Sequence, residues 1–254
     1  MKTIDKDKLV ENLDRYKKEF YKKPFNYIVI DDFLKESVAN DILDEFPQIS
    51  QDWIDARGLH SQNKWTSPII ERDIAKSFFD DFTSDWFREY LSNLTGIKDI
   101  LKDENLNGAG YHQTTNGGFL NTHIDFNRIE GNENMDRRLN LLVYFNKNWK
   151  EENGGYLELW DMEKNILLGN VAPSFNRCVI FETNEISFHG HPKPVNLKNG
   201  GSRKSLSIYY YTKGREDIDY VDTHNTVYKN TESILGSIKI FINGVKHLFR
   251  KMKR

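Results

Sequence analysis

In the segment His123-Ile124-Asp125 an imidazole and a carboxylate stand two residues apart. On an extended strand they share one face, because successive side chains point to opposite sides, and both can then bind one metal ion. The pair alone is a weak signal: seven His and 21 Asp in 254 residues give about 0.6 such pairs by chance. A third ligand is available 64 residues further on, in Ser187-Phe188-His189-Gly190-His191-Pro192, where His189 and His191 are both candidates. Arg203 follows fourteen residues after His189, in Arg203-Lys204-Ser205-Leu206. Two His and one Asp on one side of an iron(II) ion leave three coordination positions open. Two of these can take a chelating 2-oxo acid and one can take O2, while a fixed arginine holds the far carboxylate of the acid in a charge-assisted pair.

Such residues need a rigid scaffold, and the 254 residues are enough to bury a substantial core. Thirty-six Lys and Arg against 38 Asp and Glu give a net charge of −2, which argues against a nucleic-acid partner gripped by charge. The 13% aromatic content disfavours disorder. The single cysteine, Cys178, permits no intramolecular disulfide and reads as a small buried hydrophobe. The charged start MKTIDKDKLVENLD lacks the apolar stretch of a signal peptide, and the expected location is cytoplasmic.

Helical spacing predicts helices over 5–22, 35–46 and 73–94, with a short strand Tyr27-Ile28-Val29-Ile30 between the first two. From about 106 the texture changes to short β-rich runs: 106–112, 118–126, 138–146, 155–160, 166–171, 177–181 and 203–212. Gly and Asn separate them, as in Asn116-Gly117-Gly118 and Asn153-Gly154-Gly155, and the spacing suggests an antiparallel sandwich or barrel. Within 138–146 one face carries Arg138, Asn140, Leu142 and Tyr144; within 203–211 one face carries Arg203, Ser205, Ser207 and Tyr209. Alternation by itself favours an apolar face on the core and a polar face in water. The other arrangement is a barrel whose apolar outside is covered by the N-terminal helices and whose interior holds a polar site.

Several segments, in order, resemble the Fe(II)/2-oxoglutarate-dependent dioxygenases of the prolyl-4-hydroxylase-like branch. They are Gly110-Tyr111-His112, His123-Ile124-Asp125, Leu139 to Asn146, Gly154-Gly155-Tyr156-Leu157-Glu158-Leu159, Asn176 to Phe181, His189-Gly190 with Pro194-Val195, and Arg203-Lys204-Ser205-Leu206. The opening 23–34 also looks like the N-terminal strand and helix of bacterial members. The resemblance implies a mainly β fold, a double-stranded β-helix (jelly-roll) core over about 106–212. A helical part, 1–100, would cover it, within one domain spanning 1–230. It implies that His123, Asp125 and His189 bind iron and that Arg203 pairs with the distal carboxylate of 2-oxoglutarate. Tyr144 would hydrogen-bond the same carboxylate, Ser205 would assist, and Tyr111 would line the pocket. The His-Gly followed by Pro-Val favours His189 over His191 as third ligand. The carboxylate of Asp125 favours hydroxylation, since related halogenases lose it.

The implied reaction decarboxylates 2-oxoglutarate to succinate and CO2 with O2 and hydroxylates a C–H bond, with ascorbate as a candidate reductant. A prolyl residue of a peptide or protein is the default substrate of the branch; a free amino acid or other small metabolite is the alternative. Residues 51–70 and the polar loop 127–137 are candidate lids. Two rival classes are a cupin-type metal hydrolase or isomerase and a silent jelly-roll binding module. Residues 231–254 place Ile234, Ile238, Phe241, Val245 and Leu248 on one stripe among basic residues. That pattern is a basic amphipathic helix, suited to packing on its own domain or a dimer partner, or to weak membrane-surface contact.

Overall fold

Asp5 caps the first helix, its side chain accepting from the Lys8 amide (3.3 Å), and Asn12 divides the run 5–22 into α1 (Lys6–Glu11) and α2 (Leu13–Phe20). α3 (Glu36–Asp44) falls inside the expected 35–46. The single helix predicted over 73–94 is two, α4 (Asp73–Phe82) and α5 (Asp85–Thr95). Ser84 restarts the run by accepting from the Phe87 amide (3.3 Å), a capping bond that periodicity does not register. The structure is a computed structural model that describes residues 1–229 apart from 23, 104, 107, 130, 131, 199 and 216–222. The helix expected over 231–254, with its membrane or dimer contact, lies outside the described residues. Among the described residues no helix is long and apolar enough to cross a membrane.

The strands are β1 (Tyr27–Ile30), β2 (Ile54–Asp55), β3 (Ser61–Ser67), β4 (Gly110–Ile124), β5 (Arg128–Ile129) and β6 (Asn132–Tyr144). They continue with β7 (Leu157–Asp161), β8 (Ile166–Val171), β9 (Arg177–Glu182), β10 (Phe188–His191), β11 (Ser202–Thr212) and β12 (Val227–Tyr228). All pair antiparallel in the order β1-β9-β6-β11-β4-β10-β7-β8. β4 serves both halves: residues 110–115 pair with β11, and residues 120–123 pair with β10. The two ends of the path approach where the Tyr27 hydroxyl of β1 donates to the Leu168 carbonyl of β8 (3.1 Å), so the sheet nearly closes into a jelly-roll-like barrel. On the other flank of β4 lie β3 and then β12.

A turn predicted at Asn116-Gly117-Gly118 is instead a bulge inside β4: across it β3 advances only from Lys64 to Gln62 while β4 runs from Thr114 to Phe119. Backbone bonds between Gly117, Gly118 and Val195 (2.7 and 2.8 Å) satisfy the bulged residues, so the strand resumes in line.

The apolar face of β6 and β11 (Leu139, Leu141, Val143, Leu206, Ile208, Tyr210) packs against Phe78, Phe82, Phe87, Leu91 and Leu94 of α4 and α5. Each such side chain fully buried contributes about 1.5–3 kcal/mol. The opposite face does not meet water as alternation alone favours: Asn140, Tyr144, Ser205 and Ser207 are all buried. The reason is topological, since the barrel folds this face inward. One end of the interior is filled by Phe25, Leu157, Leu159, Val171, Val179 and Phe181. The other end is polar and hollow.

Candidate active site

Register, rather than sequence spacing, assembles the donors. His123 near the end of β4 is the direct cross-strand partner of His189 on β10, and the two rings lie 4.5 Å apart. Gly190 allows this approach, because a Cβ there would stand 2.8 Å from the Asn121 carbonyl oxygen and 2.9 Å from that of Leu120. Asp125 follows just beyond β4. Its Oδ1 is 3.5 Å from His123 Nε2 and its Oδ2 is 3.4 Å from His189 Nε2, and the three donor atoms all lie within 4.8 Å of one another. Two metal–ligand bonds of about 2.1 Å meeting near a right angle separate their donors by about 3 Å, so the cluster fits one ion.

The protonation states fit as well. His123 Nδ1 lies 2.8 Å from the Asn121 carbonyl and His189 Nδ1 lies 3.0 Å from that of Ser187. A carbonyl only accepts, so each Nδ1 carries the proton and each Nε2 presents a lone pair to the cluster. Burial, and then the neighbouring His189, lowers the His123 pKa and keeps that ring neutral. For Asp125 burial pushes the pKa up, but the Arg137 guanidinium, followed by His189, outweighs it and holds the carboxyl well below the usual range.

Arg137 is the residue that sequence reading missed. Its Nη2 sits 3.1 Å from Asp125 Oδ2, which also accepts from Asn140 Nδ2 (2.7 Å), while Arg137 Nε donates to Asn140 Oδ1 (3.0 Å). The guanidinium is stacked between Phe126 (4.7 Å) and Tyr209 (3.6 Å). Strict alternation from Asn140 puts Arg138 inward and Arg137 outward. A bulge at Tyr210/Tyr211 shifts the register so that Tyr211 faces Arg137, and the parity inverts. The segment 127–137, expected as a polar loop, therefore includes β5 and the start of β6. Arg137→Met is expected to weaken Mn(II) binding about 10- to 100-fold in a calorimetric titration, since outer partners of metal ligands carry effects of that order.

A cavity of about 250 Å³ runs inward from the donors. Its far wall carries Arg203, whose Nε donates to the Gly155 carbonyl (2.7 Å) and whose Nη2 donates to the Tyr144 hydroxyl (3.2 Å). Gly155 has φ +62°, and a Cβ there would come within 3.2 Å of the Arg203 stem. No carboxylate among the described residues pairs with Arg203, and burial lowers its pKa. Ser205 lines the cavity and stands opposite Tyr144 in register. His191 shares the cavity but not the cluster: a register irregularity sets it against Leu120, and its Nε2 meets Thr114 Oγ1 (3.2 Å).

Tyr111, expected to line the pocket, does not. It occupies the opposite face of β4, stacked edge-on against Phe46 (5.0 Å) and near Trp53 (6.3 Å), and burial pushes its hydroxyl up to about 12. His112, its neighbour, faces the cavity with Nε2 3.3 Å from the Gly108 carbonyl. The segment 51–70 contributes Ala56, Ser61 and Lys64 to one side of the cavity lining, and Thr226 and Tyr228 contribute to another. The two sides touch where His60 stacks on Tyr228 (4.1 Å, 9°).

Residues 109–211 match the sequence pattern of the 2OG-Fe(II) oxygenase superfamily. Through this region, about two fifths of its length, the chain is similar to that superfamily. Curated relatives include the Prolyl 3-hydroxylase OGFOD1 of Mus musculus, 29% identical over 142 residues, which are 54% of this chain and 23% of the relative. The Xenopus laevis protein of the same name is 30% identical over 129 residues, 49% of this chain and 23% of the relative. The chain thus spans about a quarter of the length of the relatives it matches. Among solved structures, a Pseudomonas putida prolyl-4-hydroxylase superposes with a TM-score of 0.56 at 16% identity, covering 81% of this chain and all of that one. A Trichoplax adhaerens prolyl hydroxylase in complex with a hypoxia inducible factor peptide fragment gives 0.59 at 16% identity, covering 82% and 94%. The fold of this chain is accordingly that of the prolyl-4-hydroxylase-like proteins.

Proposed function

We propose that the chain is an Fe(II)- and 2-oxoglutarate-dependent dioxygenase that hydroxylates a prolyl residue of a peptide or protein. The observation that carries the cofactor reading is one cavity that holds three metal donors together with an arginine that has no carboxylate partner among the described residues. The substrate class is supported by the prolyl hydroxylases among the relatives. Bound iron would supply the activation of O2 that couples decarboxylation of 2-oxoglutarate to succinate and CO2 with hydroxylation of a C–H bond.

The chain's own residues supply the rest. His123 and His189 offer Nε2 lone pairs, and Asp125 stays ionised because Arg137 and Asn140 hold its outer oxygen. Arg203, steadied by Gly155 and Tyr144, retains N–H groups for the distal carboxylate of the cosubstrate. Ser205 is placed to add a hydroxyl contact on the same wall. Burial of these groups excludes water and strengthens each charge interaction.

Anaerobic titration of metal-free protein with Fe(II) and 2-oxoglutarate tests the reading. A visible metal-to-ligand charge-transfer band is expected in the native protein and absent from His123→Ala. Aerobic incubation with proline-containing peptides is then expected to add one oxygen per succinate formed. Folded protein that binds metal yet gives no band would sink the dioxygenase reading and favour a cupin-type hydrolase.

A further inference from the structure

Lys64 has no assigned part in the site described so far, yet it lies in its wall. In register, Lys64 of β3 is the cross-strand partner of Thr114 on β4, and Arg203 of β11 is the partner of the same Thr114 on the other side. Directly paired residues share a sheet face, and all three line the cavity. Two cations therefore flank one threonine on neighbouring strands, separated at Cα by two strand spacings, roughly 10 Å. Their side chains are long enough to meet a common group between them.

Neither cation is neutralised. The Lys64 ammonium makes no hydrogen bond or ion pair with another described residue, and Arg203 is held only by a carbonyl and a hydroxyl. Asp125 is the one acid lining the cavity among the described residues, and it is taken up by Arg137 and by its two histidines. The other titratable groups facing Lys64 are His112 and His191, both of which burial keeps neutral. Burial, and then Arg203, lowers the Lys64 pKa to about 8 against the pull of Asp125, so the group is still mostly charged at pH 7. Two like charges side by side in one cavity wall repel unless an anion joins them.

We propose that Lys64 is a second cation of the cosubstrate site, gripping with Arg203 the distal carboxylate of a 2-oxo dicarboxylic acid. It rests on the function proposed above and adds a selectivity determinant: Lys64 makes the site prefer the dicarboxylate over a 2-oxo monoacid.

Calorimetric binding to Mn(II)-loaded full chain tests it without turnover, using 2-oxoglutarate and 2-oxopentanoate, which lacks the distal carboxylate. Lys64→Met is expected to weaken 2-oxoglutarate roughly 10- to 100-fold, as loss of a charged hydrogen bond does. It should change 2-oxopentanoate by less than about threefold, and Lys64→Arg should restore most of the 2-oxoglutarate affinity. Equal weakening of both acids would overturn the assignment, because Lys64 would then act on the chelating end or on the fold. Native-like 2-oxoglutarate binding by Lys64→Met, with binding lost in Arg203→Met, would also overturn it while leaving the cosubstrate reading intact. No 2-oxoglutarate binding by the native chain would remove that reading itself.

Discussion

His189→Ala is expected to abolish tight Mn(II) or Fe(II) binding, whereas His191→Ala is expected to leave metal affinity within about tenfold of the native chain. The two residues are two apart on one strand and both are buried, so composition and exposure do not separate them. Register does. His189 faces His123 across β4 and β10, and its Nε2 reaches Asp125, while His191 faces Leu120 and turns its Nε2 to Thr114. Structural metal sites with four ligands hold their ion by about 10–16 kcal/mol, or about 2.5–4 kcal/mol per ligand, so losing one of three costs roughly 100- to 1,000-fold. Calorimetry on both variants, with melting curves to show that each is folded, decides the matter. Equal losses in the two variants would mean that the cluster is not the metal site.

Arg203→Met separates binding from stability. The variant is expected to bind 2-oxoglutarate roughly 100-fold more weakly or worse, because a buried charge-assisted pair to the distal carboxylate is gone. The ligand-free protein is not expected to lose comparable stability, since burial already disfavours the charge that the substitution removes. The Tyr144 hydroxyl and Gly155 carbonyl do lose a donor, at about 1–3 kcal/mol for an unmet buried group. The expected pattern is therefore a fall of roughly 100-fold or more in affinity beside a cooperative unfolding transition lowered by about 5–10 °C. A variant that melts far below the native protein would show Arg203 to be a structural residue first.

What could be read from the sequence follows what is local to one strand. The pairing of His123 with Asp125, and of Arg203 with Ser205, needs only two-residue periodicity, and the long apolar faces of β6 and β11 announce themselves in the same way. Anything that depends on how strands meet is hidden. The bulge at Tyr210/Tyr211 brings Arg137 to the metal cluster against its apparent parity. The bulge after Thr115 turned an expected turn into continuous strand and put Tyr111 on the far face from the cavity. β3 and β12 carry no apolar alternation: each runs along a flank of β4, and of β3 only Trp65 reaches the main core. Lys64 and Tyr228 were therefore invisible as site residues until their neighbours were known.

The stack of His60 on Tyr228 has a consequence for the order in which the centre is completed. All three metal donors and Arg203 lie between residues 123 and 203, whereas the strand beside His123 is laid down only at 227–228. That last strand pairs with β4 at two positions, and the Lys229 amide donating to the Thr122 carbonyl (2.9 Å) and the His224 amide donating to Asn127 Oδ1 (2.9 Å) tie its flanks. The segment 224–229 is therefore the last part of the described chain to reach a centre whose metal donors and arginine all precede it.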